Sequence, residues 1–193
     1  MKDFSYALGI NIAANLKEAG IYNIDTERFA QAVKDALSNG KTEMTQDMAQ
    51  NKIQEYFAKL QAERGKKNIE EGKKFLEDNA KREGVVTLPS GLQYEILTAA
   101  DGKKPSASDS VKCHYHGTLI DGTVFDSSVR RNQPATFGVS QVIQGWVEAL
   151  QLMPVGSKWR LFIPYNLAYG ERGAGSIPPY ATLIFDVELL DIV

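Results

Sequence analysis

Several short stretches of the chain hold residue types that perform chemistry in other proteins. His114 and His116 alternate along a predicted strand, so both imidazoles face the same side, as a pair of metal ligands would. Cys113 faces the other side, and no third ligand stands nearby in the sequence. We therefore interpret the histidines as solvated strand residues and Cys113 as a small buried hydrophobic residue, not as a nucleophile.

Two other stretches are also poor candidates for catalysis. Residues 170–175, GERGAG, are rich in glycine, as phosphate loops are, but they run into Pro178-Pro179 and open no helix. We expect a surface loop there. Ser127 and Ser128 lack a base positioned by the sequence. The pattern predicts no covalent catalysis, no metal site and no cofactor.

One group of side chains, aromatic and aliphatic residues around a single acid, is a better candidate for a site. Its members are Tyr115, Phe125, Asp126, Phe137, Val142, Ile143, Trp146, Tyr169, Ile177 and Phe185. By periodicity alone most of them would be core residues. The motifs that surround these residues favour a binding site over a simple core.

The composition excludes several classes of protein. The 193 residues suffice for one large domain or two small ones. A net charge of −2 argues against a nucleic-acid partner, since phosphate neutralisation needs a basic face. One cysteine permits no intramolecular disulfide and no redox pair. No stretch reaches the ~20 apolar residues of a membrane span, so we expect no membrane partner.

The N-terminal segment is a weak candidate for a targeting signal. Its apolar run is interrupted by Asp3, Ser5 and Asn11, and no small-residue cleavage site follows it. We expect a cytoplasmic protein. The alternative is a periplasmic or surface protein from which a signal peptide has been removed.

The distribution of proline divides the chain into two halves. All seven prolines lie at or beyond Pro89, which predicts helices before about residue 84 and a β-rich part after it. In the first half, Leu8, Ile12 and Leu16 recur at helical spacing, and Gly20 is a plausible stop. A second helix containing Phe29 and Val33 is expected to end at Asn39-Gly40.

A third helix is predicted from about residue 43 to 83, with Thr42 or Thr45 as its cap. Its first third carries an apolar stripe, whereas 13 of the 23 residues between Gln61 and Glu83 are charged. We expect this second part to be a solvated stalk, in which Gly65 and Gly72 either mark a bend or are tolerated.

Residues 1–60 are too few to bury three apolar stripes well, because domains of ~60 residues are marginal. A second copy of the chain would complete the core, which makes this segment a dimerisation module. The alternative is a small bundle packed on the C-terminal domain. The predicted organisation is a helical module at 1–60, an overlapping stalk at 43–84 and a second domain at 85–193.

The second half alternates apolar and polar residues, as half-buried antiparallel strands do. Val111, Cys113 and Tyr115 oppose Lys112 and His114, and residues 183–189 and 160–163 repeat the pattern. A short helix at residues 146–153 ends at Pro154. One helix on one face of an antiparallel sheet predicts an α+β domain.

The motifs of this half resemble those of the FKBP-type peptidyl-prolyl cis–trans isomerases. The sequences that carry the resemblance are HYHGTLIDGTVFDSS (114–128), VIQGWVEALQLMPVGSKWRLFIP (142–164), LAYGERGAGSIPP (167–179) and ATLIFDVELL (181–190). They cover the whole C-terminal part. The helical half, including YALGINIAANL (6–16), is similar to the dimerisation module and stalk of the bacterial macrophage infectivity potentiator-like members, and the short form resembles their cytoplasmic representatives.

The resemblance implies a twisted antiparallel sheet wrapped around a short helix, with a pocket between them. It implies that Trp146 is the floor of the pocket and that Asp126, oriented by Arg131, is its polar wall residue. The implied aromatic walls are Tyr115, Phe125, Phe137 and Phe185. The implied further lining residues are Val142, Ile143 and Ile177. The Ile143 amide and the Tyr169 hydroxyl would bind carbonyl groups. Asp126, Tyr169 and Tyr115 are the implied catalytic residues. Partners would be unfolded or proline-containing polypeptides and tacrolimus- or rapamycin-type macrolides.

These residue types suit isomerisation of an X–Pro bond, because no bond to carbon breaks and the barrier of ~18–20 kcal/mol comes from lost amide resonance. The chain departs from the common family pattern at Ala135, where many members have an aromatic residue, and in a shorter loop with Ser176. Both departures are expected to affect how tightly a macrolide binds and which residue is preferred before proline. The competing functions are a proline-binding chaperone or docking module without turnover, and a scaffold in which the helical half matters most.

Overall fold

The structure, a computed structural model, describes residues 1–38 and 41–193. The chain forms two compact units, Met1–Glu55 and Tyr56–Val193. The predicted helix stop at Asn39-Gly40 lies outside the described residues. Among the helices that the structure describes, none is both long and apolar enough to cross a membrane.

The first unit consists of helices. α1 spans Lys2–Glu18, α2 spans Thr26–Leu37, and α3, at Gln46–Asn79, begins in this unit. α1 ends at the predicted glycine, since Gly20 follows the C-cap residue with a φ of +79°. Of the two predicted caps of α3, Thr45 is the one used: its hydroxyl accepts from the Met48 amide at 3.3 Å.

Neither α1 nor α2 contains a buried residue. Phe4, Leu8 and Ile10 of α1 are 68%, 50% and 59% exposed. A helix that leaves such side chains in water has lost the main stabilisation of an amphipathic helix, which is burial of its apolar face.

The second unit is built on a seven-stranded sheet. The strands are β1 (Val85–Thr87), β2 (Gln93–Thr98), β3 (Ser110–Leu119), β4 (Val124–Ser127), β5 (Ala135–Gly138), β6 (Lys158–Ile163) and β7 (Leu183–Ile192). Their order is β1-β2-β6-β7-β3-β4, and β5 pairs with β3 at the end opposite β4. All pairs are antiparallel, which confirms the predicted α+β class.

The hydrophobic core lies between one sheet face and the short helix α4 (Gln144–Leu150). On β3 the side chains of Val111, Cys113 and Tyr115 are buried on this face, as the alternating sequence pattern predicts. α4 contributes Trp146 and Ala149, which are 4% and 0% exposed. The helix therefore covers the sheet face that carries the site described below.

The other sheet face is covered in part by α3, which corrects the expectation of a solvated stalk. Phe75 of α3 packs against Phe162 of β6, with ring centroids 6.0 Å apart, and Phe162 is only 2% exposed. The buried Asn79 donates to Gln93 Oε1 at 2.8 Å. The charged residues of α3 correctly predicted that one face of the helix is exposed. The prediction was wrong about the opposite face, which is buried against the sheet.

Candidate active site

A cavity of about 490 Å³ lies between the sheet and α4. It is lined by Tyr115, Phe125, Asp126, Phe137, Gln141, Val142, Ile143, Trp146, Tyr169 and Phe185. A cavity of this size, walled by aromatic rings with a few polar atoms, is typical of a small-ligand or peptide site.

Trp146 is the centre of the aromatic wall. The rings of Tyr115, Phe137 and Phe185 meet its indole nearly edge-on, with centroids 5.7, 5.7 and 5.3 Å away and interplanar angles of 81–82°. Phe125 meets Phe185 in the same way at 5.3 Å. Edge-to-face contacts of this kind fix ring orientations, so the cavity is a preformed slot for an apolar ring.

A glycine on β3 makes this packing possible. Gly117 pairs with Phe185 on β7, and a Cβ at this position would lie 2.6 Å from Phe125 Cζ and 2.8 Å from Phe185 Cε1. Only the absence of a side chain at Gly117 lets both phenylalanines approach the strand.

The polar side of the cavity is a network of three side chains. The Tyr115 hydroxyl donates to Asp126 Oδ2 at 2.5 Å, and Arg131 donates to Asp126 Oδ1 and, at 2.9 Å, to the Tyr115 oxygen. The amide of Ser127 also donates to Asp126 Oδ1, at 2.8 Å. The carboxylate is thus held by three donors, while its side chain stays 42% exposed at the cavity.

These contacts set the ionisation of the site. Burial opposes the charge of Asp126, but the hydrogen bonds from Tyr115, Arg131 and the Ser127 amide outweigh it and lower the pKa of the carboxyl group. Burial and the bond to Asp126 raise the pKa of Tyr115. Burial, followed by the nearby Asp126 charge, raises the pKa of Tyr169. At neutral pH the site therefore holds one carboxylate and two neutral phenols.

Two groups that can donate hydrogen bonds, the Ile143 amide and the Tyr169 hydroxyl, lie at the cavity. Ile143 precedes α4, and its amide has no acceptor within the described residues. Tyr169 lies in the loop after β6 and is 40% exposed. Gln141, which sequence reasoning missed, also lines the cavity. Its position directly before Val142 was the available signal.

The structure brings nine of the eleven sequence-predicted site residues into the lining and places two elsewhere. Arg131 stands behind the cavity, where it bonds Asp126 and Tyr115. Ile177 is 7% exposed, packs in the core and does not line the cavity. Ala135 lies on β5 opposite Cys113, also outside the lining.

The sequence analysis expected solvated histidines and serines without a neighbouring base. The structure corrects both expectations, because each histidine is paired with a serine. His114 Nδ1 lies 3.1 Å from Ser128 Oγ, and His116 Nδ1 lies 2.9 Å from Ser127 Oγ. Both histidines are half-buried instead of fully solvated, and each serine has an imidazole beside it. Ser127 and Ser128 are 3% and 0% exposed, so no substrate reaches them.

The structure also describes the surroundings of the other residues that the sequence analysis considered for catalysis. Burial raises the pKa of Cys113 to about 12, so its thiol is not a nucleophile. Residues 170–175 form turns and open no helix. Within the described ranges, no group of three or more His, Cys, Asp or Glu side chains is placed to hold a metal ion.

A larger groove, of about 870 Å³, lies between α3 and the other sheet face. Its acids and bases are interspersed, and two of them, Arg160 and Asp186, are joined by a bond of 2.6 Å. Only four of its fourteen lining residues, Phe75, Ile120, Phe162 and Ile184, are apolar, so the groove does not form an aromatic slot like that of the smaller cavity. The smaller aromatic cavity is therefore the candidate active site.

An aromatic slot with one fixed carboxylate and hydrogen-bond donors beside it is the kind of enzyme site that takes an apolar ring or a short peptide segment. The comparisons identify that class. Residues 101–190 match the family model described as FKBP-type peptidyl-prolyl cis-trans isomerase, and residues 1–96 match the domain amino-terminal to it.

Relatives of this chain share almost its whole length. The FKBP-type 22 kDa peptidyl-prolyl cis-trans isomerase of Escherichia coli is 47% identical, covering 98% of this chain and 94% of that protein. The outer membrane protein MIP of Legionella longbeachae is 45% identical, covering 97% and 84%. The crystal structure of FkpA from Escherichia coli superposes with a TM-score of 0.83 and 35% identity, covering 99% and 93%.

This chain belongs to the family of FKBP-type peptidyl-prolyl cis–trans isomerases. Within the family its relatives include the FkpA and macrophage infectivity potentiator proteins, as the helical half predicts. It is therefore a peptidyl-prolyl cis–trans isomerase.

Proposed function

We propose that the chain isomerises X–Pro bonds in the cavity floored by Trp146, with Asp126, Tyr169 and Tyr115 as its catalytic residues. The observation that carries this proposal is the hydrogen-bonded network of Tyr115, Asp126 and Arg131 at the edge of an otherwise apolar slot. A slot built only for holding proline segments would need no fixed charge.

The geometry supports the following course of events. The proline ring enters the aromatic slot over Trp146, and the carbonyl groups of the peptide accept hydrogen bonds from the Ile143 amide and the Tyr169 hydroxyl. Removing water from the X–Pro carbonyl favours the twisted amide, which is less polar than the planar one. Contacts that fit the twisted amide better than either planar form lower the barrier, tenfold for each 1.36 kcal/mol.

Asp126 has two candidate roles in this mechanism. It stabilises the twisted carbonyl carbon electrostatically, or it only positions Tyr115 and Arg131. Asp126→Asn keeps the shape and removes the charge, whereas Asp126→Ala removes both. Turnover lost equally in both variants supports the electrostatic role, turnover retained in Asp126→Asn supports positioning, and unchanged turnover in both discards either role.

The first test of the function is isomerisation of a short Leu-Pro peptide, followed by exchange NMR. Wild type is compared with the double variant Tyr169→Phe/Asp126→Ala. A steep fall in the double variant places the reaction in this cavity. A folded wild type without catalysis would favour the alternative, a proline-binding chaperone or docking module. Addition of a rapamycin-type macrolide, a proposed ligand, is expected to inhibit the wild type.

We further propose that residues 1–60 form a homodimerisation module, joined through the stalk at 43–84 to the isomerase domain at 85–193. The exposed apolar side chains of α1 support this proposal, because a second copy would bury them. Leu8→Asp is expected to give monomers in analytical ultracentrifugation, and Asn11→Asp, an exposed polar position of the same helix, is the matched control.

A dimer with two cavities would hold unfolded chains by avidity, which is the proposed basis of chaperone activity. The monomeric Leu8→Asp variant is then expected to keep its peptide isomerisation and to lose most of its ability to suppress aggregation of an unfolded protein. Equal suppression by monomer and dimer would contradict the avidity argument.

The compartment is a separate proposal. We favour the cytoplasm, with the periplasm or the cell surface as the alternative. Fractionation of the native host with an antibody against this chain decides between them.

A further inference from the structure

The C-terminal part of α3 lies unusually close to the segment at residues 178–182. A Cβ at Gly65 would stand 2.8 Å from Cδ2 of Tyr180, and a Cβ at Gly72 would stand 2.3 Å from Oγ1 of Thr182. Both glycines are buried. Two glycines seven residues apart face the same side of a helix, so they form one contact surface for this segment.

Asn68, between the two glycines, adds a polar contact to this surface. Its Nδ2 donates to the carbonyl oxygen of Pro179 at 2.7 Å, across 111 residues of sequence. Pro179 immediately precedes Tyr180, so this bond fixes the peptide plane that leads into Tyr180.

Tyr180 has a backbone conformation that needs such support. Its φ is +58°, in the left-handed region that side-chain-bearing residues avoid. Its amide donates to the carbonyl oxygen of Gly170 at 2.9 Å, and its ring meets that of Tyr165 edge-on, with centroids 5.2 Å apart. The residue is therefore held from α3 on one side and from residues 165–170 on the other.

Gly170 connects this arrangement to the active site. It directly follows Tyr169, whose side chain lines the cavity. The Gly170 amide donates to Tyr165 O at 2.9 Å, and its carbonyl accepts from Tyr180. The placement of the Tyr169 hydroxyl thus depends on two backbone bonds, and one of them ends at the residue that α3 supports.

We propose that Asn68 and Gly65 are positioning residues of the isomerase reaction, acting through Tyr180 and Gly170 on Tyr169. The inference rests on the proposed function of the Tyr169 hydroxyl and deepens it by including α3 in the support of the site. Neither residue touches the substrate. Their effect is to hold the hydroxyl where a substrate carbonyl is bound.

The test uses the full chain with two variants and two matched controls. Asn68→Asp removes the donor to Pro179 at nearly constant size, and Gly65→Ala displaces the Tyr180 ring. Gln61→Glu repeats the change from amide to acid at an exposed position of α3. Ala62→Ser adds one heavy atom at an exposed position of the same helix.

Three quantities are measured: kcat and KM for a Leu-Pro peptide, hydrogen exchange of the Tyr180 amide, and Tm. We expect kcat to fall roughly tenfold in both variants with little change in KM, because misplacing a catalytic group by about 1 Å costs up to 10²-fold. Exchange at Tyr180 is expected to accelerate by a similar factor well below Tm. The controls are expected to behave as wild type.

A double-mutant cycle separates positioning from general destabilisation. In a Tyr169→Phe background, Asn68→Asp is expected to cause little further loss, because the group it positions is gone. The same loss of kcat in both backgrounds would overturn the inference, as would faster exchange with unchanged kcat. An inactive but folded wild type would instead overturn the proposed function itself, so the two failures are distinguishable.

Discussion

The hydroxyl of Tyr115 donates to Asp126 Oδ2 at 2.5 Å, so a side chain of the hydrophobic core and the acid of the cavity form one unit. Tyr115 is only 7% exposed, whereas the Asp126 side chain is 42% exposed. The core thereby fixes Asp126, the only charged side chain among those that line the described cavity. This relationship leads to the first two predictions.

Removing the Tyr115 hydroxyl is expected to weaken catalysis more than folding. Tyr115→Phe keeps the ring contacts with Trp146 but leaves Asp126 without its shortest neutral donor. We expect the free energy of unfolding to fall by about 1 kcal/mol, the usual net value of a hydrogen bond, and kcat/KM to fall by about tenfold. Tyr56→Phe, on an exposed tyrosine of α3, is the control. Unchanged kcat/KM in Tyr115→Phe would contradict a role for the network.

The lowered pKa of Asp126 predicts the acid side of the pH profile. A carboxyl group whose folded-state pKa lies below the ordinary value of 3.8 stays charged throughout the neutral and mildly acidic range. Its contribution to stability is present above the unfolded-state pKa and is lost as the pH falls through the folded-state pKa. We therefore expect kcat/KM to stay constant from about pH 8 to pH 5 in the folded protein.

Arg131→Gln provides the matching test of this pH dependence. It removes a cationic donor from Asp126, so the pKa of the carboxyl group is expected to rise and the acid limb of kcat/KM to move to higher pH. An NMR titration of the Asp126 carboxyl carbon measures the shift directly. A shift to lower pH would show that Arg131 does not stabilise the carboxylate.

Gly117 is expected to tolerate no side chain. The added methyl of Gly117→Ala would lie well inside contact distance of Phe125 and Phe185. Overpacking of this kind costs about 1–3 kcal/mol of unfolding free energy, and here it also displaces the cavity wall. Chemical denaturation measures the loss. The double variant Gly117→Ala/Phe125→Leu makes room for the methyl and is expected to regain part of the stability; equal loss in both would show that the clash is relieved elsewhere.

Cys113 is expected to be unreactive in the native protein. Its side chain is fully buried, and burial raises the pKa of its thiol to about 12. Because the thiolate is the reactive form, an aromatic disulfide reagent at pH 8 should modify it only as fast as the protein unfolds. In denaturant, one thiol per chain should react at once. Fast modification without unfolding would show that the strand pair around Cys113 opens locally.

Local patterns in the sequence predicted much of the fold because they arise from short-range physics. The alternation of Val111, Cys113 and Tyr115 follows from the two faces of a strand, and Gly20 and Thr45 end and begin helices through contacts within three or four residues. The cavity lining was predicted through the resemblance of its motifs, and only Gln141 was missed.

Contacts between distant segments could not be predicted in this way. The charged residues of α3 predicted its exposed face. The sequence around Gly65 and Asn68 gives no indication that they contact Tyr180 and Pro179, which lie more than 100 residues away. The burial of Ile177 in the core likewise depends on segments that are distant in the sequence. The sequence by itself determined the elements, the class and most of the cavity. Only the tertiary structure decided which helix face is buried, because that depends on which distant surface the helix meets.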